Sequence, residues 1–142
     1  MTELDPAKLA RAREAFAEVP YARLLKLELG NVAAGQVTIH LDVRDHLKQN
    51  QGVVHGGAIA SLVDTASAFA VLTLAEISER VTTTDLTIHY LRPITGGRIS
   101  AQAQVIRGGR RLFVLSVDVL DERGILAATA VTTYIKIGPK PT

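Results

Sequence analysis

From residue 36 onward the chain alternates: Val37, Ile39, Leu41 and Val43 stand between Gln36, Thr38, His40 and Asp42, a period of two that buries one face of a strand. Leu25 to Leu29, just upstream, is read as its hairpin partner, with the turn falling in Gly30 to Gly35. The alternation returns where Ile99, Ala101, Ala103 and Val105 are set against Ser100, Gln102 and Gln104, so the sheet has one covered face and one wetter face. The second half of the chain predicts strands over Val81 to Leu91, Arg98 to Arg107, Arg111 to Leu120 and Ile125 to Ile137. Pro93 with Gly96-Gly97, then Gly108-Gly109, then Asp121 to Gly124 separate them and supply antiparallel turn signals.

Two stretches follow a helical period instead. Asp5 before Pro6 is a helix start, and Leu9, Ala12, Ala15 and Phe16 continue it at helical spacing, which predicts a short helix over about residues 5–18. Between Ala58 and Glu76 the only charge before Glu76 is Asp64, and a helix so apolar all round must be enclosed by protein. The same run is long enough for a membrane span, but Ser61, Asp64, Thr65, Ser67 and Thr73 argue for a buried helix. The pattern is therefore α+β: one long central helix, inserted between the second and third strands and wrapped by a curved antiparallel sheet of about six strands.

Length and composition narrow the setting. A chain of 142 residues, 47% hydrophobic and 21% charged, suits one packed domain over residues 1–142. The chain has no cysteine, which excludes disulfides, a thiolate nucleophile and sulfur-ligated zinc. The opening segment lacks the apolar core of a secretion signal, and its mixed charges do not suit a transit peptide, so a cytoplasmic location away from membranes is expected. Net charge is only +2, yet the pI of about 9.2 and the group Arg107, Arg110 and Arg111 point to a surface that meets an anionic ligand. Nucleic acid is not expected, because aromatic residues make up 4% of the chain and no recognition motif accompanies the arginines.

Chemistry concentrates in Gln49-Asn50-Gln51-Gly52-Val53-Val54-His55-Gly56-Gly57, which runs directly into the apolar helix. Gly56 and Gly57 keep no side chain between backbone and ligand, so free N–H groups at this helix start form an oxyanion hole in outline. Asp64, expected about two turns in, needs either a structural partner or a cleft to face, because an unpaired carboxylate among apolar side chains is costly. Ser61, Thr65 and Ser67 are the candidate structural partners. Gly56-Gly57 also fits a plain tight turn, His55 a helix cap, Thr83 an ordinary strand threonine, and the arginines a solvated surface. His40, His46 and His89 show no metal-ligand spacing. At about 1.5 Å per residue, Gly56 and Asp64 lie roughly 12 Å apart along one helix. For both to reach one carbonyl, two helices must run antiparallel, which predicts a two-fold dimer with paired sites.

At these residues the chain resembles the PaaI-type acyl-CoA thioesterases of the hotdog superfamily, relatives of the 4-hydroxybenzoyl-CoA thioesterases, over residues 35–136. The resemblance is carried by His55-Gly56-Gly57 with Asp64 further along the helix, and by Thr83-Thr84-Asp85-Leu86-Thr87-Ile88-His89-Tyr90-Leu91-Arg92-Pro93. It implies a hotdog fold in which Asp64 activates water or attacks the thioester carbonyl, while Gly56 N–H, with Gly57 as a further donor, polarises that carbonyl beside His55. Thr83 falls where the family places a Ser or Thr that helps to position the nucleophilic water. Many members carry Asn six residues before the histidine, whereas this chain has Gln49 with Asn50 beside it, and the spacing favours Gln49 as the contact to the thioester. Arg92, Arg107, Arg110 and Arg111 become candidates for the phosphates of coenzyme A.

The expected activity is hydrolysis of an aryl-acetyl or medium-chain acyl-CoA by a homodimer or homotetramer. No cofactor is required beyond the coenzyme A carried by the substrate, and no metal. An Asp side chain is ordinarily ionised at neutral pH and a thiolate leaves readily, so no His–Ser couple is needed. Two other readings stand beside it: a non-catalytic binder or sensor of acyl-CoA, and hydration chemistry, which would use a His and an acid at a different spacing.

Overall fold

The computed structural model describes residues 2–139, so Met1 and residues 140–142 of the expected domain lie outside the described residues. The elements are α1 (Pro6–Ala17), α2 (Pro20–Leu25), β1 (Glu28–Ala33), β2 (Gln36–Asp42), a single 3-10 turn (Asp45–Leu47), α3 (Gly56–Leu72), β3 (Glu79–Tyr90), β4 (Arg98–Gly108), β5 (Leu112–Leu120) and β6 (Leu126–Pro139). All pairings are antiparallel and the strands lie in the order β1-β2-β4-β5-β6-β3. This six-stranded curved sheet wraps α3 and is the hotdog fold.

The core lies between α3 and the inner face of the sheet. Leu62, Val63, Ala66, Ala70 and Val71 on the helix meet Ile39, Leu41, Ile99, Ala101, Leu115, Val117 and Val119, all fully removed from solvent. The period-two residues of β2, β4 and β5 supply this face, as the alternation requires. Ser67 is also fully buried, and its hydroxyl is paired with that of Thr132 on β6 at 2.9 Å, so the polar group costs little. Phe16 of α1 meets Phe69 edge-on, with ring centroids 5.3 Å apart, and so joins the N-terminal helix to the same core. Among the described residues no helix is long and apolar enough to cross a membrane.

Three boundaries differ from the sequence reading. The segment expected to open a strand at Leu25 instead ends helix α2, and β1 begins at Glu28 and runs to Ala33, leaving only Ala34 and Gly35 in the turn. Pro20 stands in the first turn of α2 and Lys26 closes it in the left-handed region at φ 57°. Arg44 then donates to the carbonyls of Leu25 (2.9 Å) and Leu24 (3.0 Å), a tertiary cap that local pattern does not reveal. The long helix stops at Leu72 and does not reach Glu76. There the Thr73 hydroxyl donates to the Ala70 carbonyl at 2.7 Å and accepts the Gly35 N–H at 2.7 Å, which ties the helix end to the β1–β2 turn.

Leu62 lies at the centre of this packing. Leu62→Ala is expected to lower unfolding free energy by about 2–5 kcal/mol, read from the shift in urea midpoint at unchanged slope.

Candidate active site

The start of α3 is shaped by the loop before it. Lys48 and Val54 pair as an isolated antiparallel bridge, Gln49 N–H donates to Val53 at 2.8 Å, and His55 N–H donates to Leu47 at 2.8 Å. Gly52, at φ 83°, makes the turn possible. His55 is the N-cap: its Nδ1 accepts the Gly57 N–H at 2.8 Å, which satisfies one of the orphan donors of the first turn. The neutral ring therefore carries its proton on Nε2. The Gly57 N–H is thus already bonded within the chain, while Gly56 N–H has no acceptor among the described residues.

Gly56 is held from the far side by a residue that the sequence reading did not select. Tyr90, at the end of β3, donates its hydroxyl to the Gly56 carbonyl at 2.8 Å. A Cβ at position 56 would sit 3.2 Å from the Tyr90 ring carbon that carries the hydroxyl, so glycine is what allows the ring to lie across the helix start. Gln49, Val53, Val54, Gly56, Ile59, Tyr90, Leu91, Arg92, Pro93 and Ile94 surround an open cleft here. Gln49 Oε1 accepts the Gln51 N–H at 2.9 Å, which leaves its amide NH2 as the donor for a ligand. Asn50 is exposed and does not line the cleft, whereas Gln49 does.

Asp64 belongs to a second cleft. It stands about two turns into α3, as expected, and is half-buried in a surface lined by Tyr21, Ala60, Ser61, Thr65, Thr83 and Leu86. None of its proposed structural partners bonds it. Ser61 donates to the Gly57 carbonyl and meets the Tyr21 hydroxyl, Thr65 donates to the Ser61 carbonyl, and Ser67 pairs with Thr132. Instead Thr83 donates to Asp64 Oδ1 at 2.8 Å. The Tyr134 hydroxyl of β6 donates to the same Oδ1 and, at 2.7 Å, to the Asp64 carbonyl. Burial, reinforced by the hydrogen bond to Asp64, pushes the Tyr134 phenol above its ordinary value, so it remains a donor throughout the neutral range.

A bulge selects Thr83 from the run Thr82-Thr83-Thr84. Leu86 and Tyr90 face α3 at the expected period, but the β3–β6 register shifts between Thr83 and Asp85, so the inward face passes to Thr83 and not to Thr84. Thr84 bonds Asp85 and the Thr133 carbonyl instead. The Thr83 hydroxyl thus holds the carboxylate itself, where the resemblance implied a role toward water.

Within one chain the two clefts share no residue, in keeping with the spacing along the helix. Arg92 lines the Gly56 cleft, whereas Arg107, Arg110 and Arg111 are exposed around the β4–β5 hairpin, at the opposite end of the sheet. Leu112 lies beside Ile135 and Leu120 beside Leu126 on β6, and Ala128 lies beside Tyr90, so this hairpin is nearer Thr83 and Tyr134 than Gly56. Among the described residues no group of three or more His, Asp or Glu is placed to hold a metal ion. Tyr21, Tyr90 and Tyr134 were legible only as scattered tyrosines, and no local signal marks them for these contacts.

Residues 51–128 match the thioesterase superfamily. The medium/long-chain acyl-CoA thioesterase YigI of Salmonella typhimurium is 32% identical over 132 residues, covering 82% of this chain and 85% of that protein. A putative esterase of Saccharolobus solfataricus is 30% identical over 109 residues, 77% of this chain and 72% of the relative. Among solved structures, a thioesterase family protein from Silicibacter pomeroyi superposes with a TM-score of 0.88 at 25% identity, covering 92% of this chain and 98% of that one. The PaaI protein from the phenylacetic acid degradation operon of E. coli shares the fold at a TM-score of 0.89 and 23% identity, over 99% and 100% of the two chains. The chain belongs to the thioesterase superfamily of the hotdog fold and is a thioester hydrolase.

The cap gives a separable test. His55→Ala is expected to lower stability by about 1 kcal/mol, and His55→Asn, which can still accept the Gly57 N–H, by clearly less, as read from thermal melts. Equal losses would remove the capping role.

Proposed function

We propose that this chain hydrolyses aryl-acetyl or medium-chain acyl-CoA thioesters, with Asp64 as base or nucleophile and Gly56 N–H as the donor to the thioester oxygen. The C–S bond breaks, water supplies the hydroxyl of the released acid, and the coenzyme A thiolate leaves and takes up a proton. The observation that carries this reading is the half-buried Asp64 carboxylate, held by hydroxyls from two strands at the wall of a cleft. The acyl-CoA thioesterase relative favours coenzyme A as the carrier. Arg92 beside Gly56 is the nearest cation for its phosphates, with Arg107, Arg110 and Arg111 reaching them only from the Asp64 side. No metal or cofactor enters this chemistry, because the carboxylate and the backbone donor meet its needs.

The working unit in this proposal is a dimer. β3 is twelve residues long and forms one edge of the sheet, and a long bare edge invites pairing with another strand. β3 also carries the anchors of both half-sites, Thr83 for Asp64 and Tyr90 for Gly56. Two β3 strands paired antiparallel about an axis between Leu86 and Thr87 lay Thr83 of one protomer beside Tyr90 of the other. Asp64 of each chain then faces Gly56 of its neighbour. The exposed Leu112, Val131 and Ile137 of β5 and β6 favour a further association into a homotetramer.

Purified protein is expected to release free thiol from phenylacetyl-CoA or hexanoyl-CoA, and Asp64→Asn to lower that rate by about 10²–10⁴-fold. A wild-type rate in Asp64→Asn would remove the carboxylate from the mechanism. Gly56→Val, whose side chain would press on Tyr90, should be equally inactive. Refolding Asp64→Asn together with Gly56→Val should restore about a quarter of the wild-type rate, since half the dimers are mixed and each holds one intact site. No recovery in dimers shown to be mixed would place each site within one chain.

A further inference from the structure

The two oxygens of Asp64 are not equivalent. Oδ1 accepts two hydroxyl donors, Thr83 from β3 and Tyr134 from β6, while Oδ2 has no hydrogen-bond partner among the described residues. The one buried side-chain nitrogen or oxygen without a partner in those residues is Arg80 Nε, so Asp64 Oδ2 is open to solvent in the cleft. Tyr134 itself is 2% exposed and its hydroxyl also spans to the Asp64 carbonyl, which fixes the side chain to its own helix turn. A group so enclosed has no path to a substrate; its only effect on the chemistry runs through Asp64.

We infer that Tyr134 is a positioning residue which, together with Thr83, anchors Asp64 through Oδ1 and presents Oδ2 as the oxygen that meets water or the acyl carbonyl. This inference rests on Asp64 being the catalytic carboxylate. Two donors to one oxygen stop rotation of the carboxyl plane, so the lone pairs of Oδ2 keep one direction. The phenol suits this place because burial keeps it protonated, which a more acidic group would not guarantee. The side chains lining the cleft around Asp64 are Tyr21 from α2, Ala60, Ser61 and Thr65 from α3, and Thr83 and Leu86 from β3, with Tyr134 bonding from β6. None of these is a cation, and the nearest acid along β3, Asp85, is exposed and bonded to Thr84, so hydroxyl donors carry the stabilisation.

The test is the split between kcat and KM for thiol release by Tyr134→Phe, which removes the hydroxyl and keeps the ring. Loss of a donor to Oδ1 lets the carboxyl plane turn, which costs the chemical step and not substrate binding. kcat should fall roughly tenfold, with KM changed less than about twofold. In an Asp64→Asn background the same substitution should leave the residual rate unchanged, whereas a merely structural tyrosine would lower it in either background. Should Tyr134→Phe fail to fold, 3-fluorotyrosine at position 134, of similar shape and a stronger donor, is expected to change kcat at unchanged KM, and only while Asp64 is present. An unchanged kcat in the folded variant, or a loss repeated in the Asp64→Asn background, overturns the inference while leaving Asp64 catalytic. If Asp64→Asn alone retains the wild-type rate, the parent reading fails instead.

Discussion

A helix made almost wholly of apolar side chains folds only when protein surrounds it, and a carboxylate carried on such a helix must be met by donors or by water. Both demands fall on α3. The sheet meets the first by wrapping the helix, so that Leu62, Val63, Ala66 and Ala70 see no solvent. It meets the second from two strands, with Thr83 and Tyr134 reaching Asp64. The carboxylate is thus held by the same sheet that encloses the core, and its position inherits the rigidity of that packing.

The other end of the helix follows a different logic. There the backbone supplies the proposed donor, and one N–H is left open while its neighbours are satisfied. His55 takes the Gly57 N–H, Tyr90 donates to the Gly56 carbonyl, and Gly56 keeps its own N–H free. A helix start offers several donors to a developing negative charge, but capping reduces them to the one at the cleft. The close approach of Tyr90 is what glycine at 56 accommodates: a Cβ there would press on the ring that secures the same peptide.

The two ends are too far apart on one helix to serve one carbonyl, and the separate clefts of the single chain reflect that. β3 is the element common to both, since it holds Asp64 through Thr83 and Gly56 through Tyr90 while forming an open edge of the sheet. The proposed pairing of two such edges turns a spacing that separates the groups within a chain into one that unites them between chains.

Much of this was legible in the order of residues. Strict alternation in β2 and β4 exposed the sheet, the turn glycines divided the later strands, and the single charge in the Ala-rich run marked both the central helix and Asp64, because short-range periodicity and burial are local consequences of side-chain type. The glycine pair likewise marked the start of that helix. Other features were decided only by tertiary contact. Helix α2 is capped by Arg44 from a distant loop, α3 ends where Thr73 meets the β1–β2 turn, and a bulge chose Thr83 from three adjacent threonines. Tyr90 and Tyr134 carry no sequence signature for their roles, since a hydroxyl at the end of a long side chain acquires its partner only when separate strands fold against one helix.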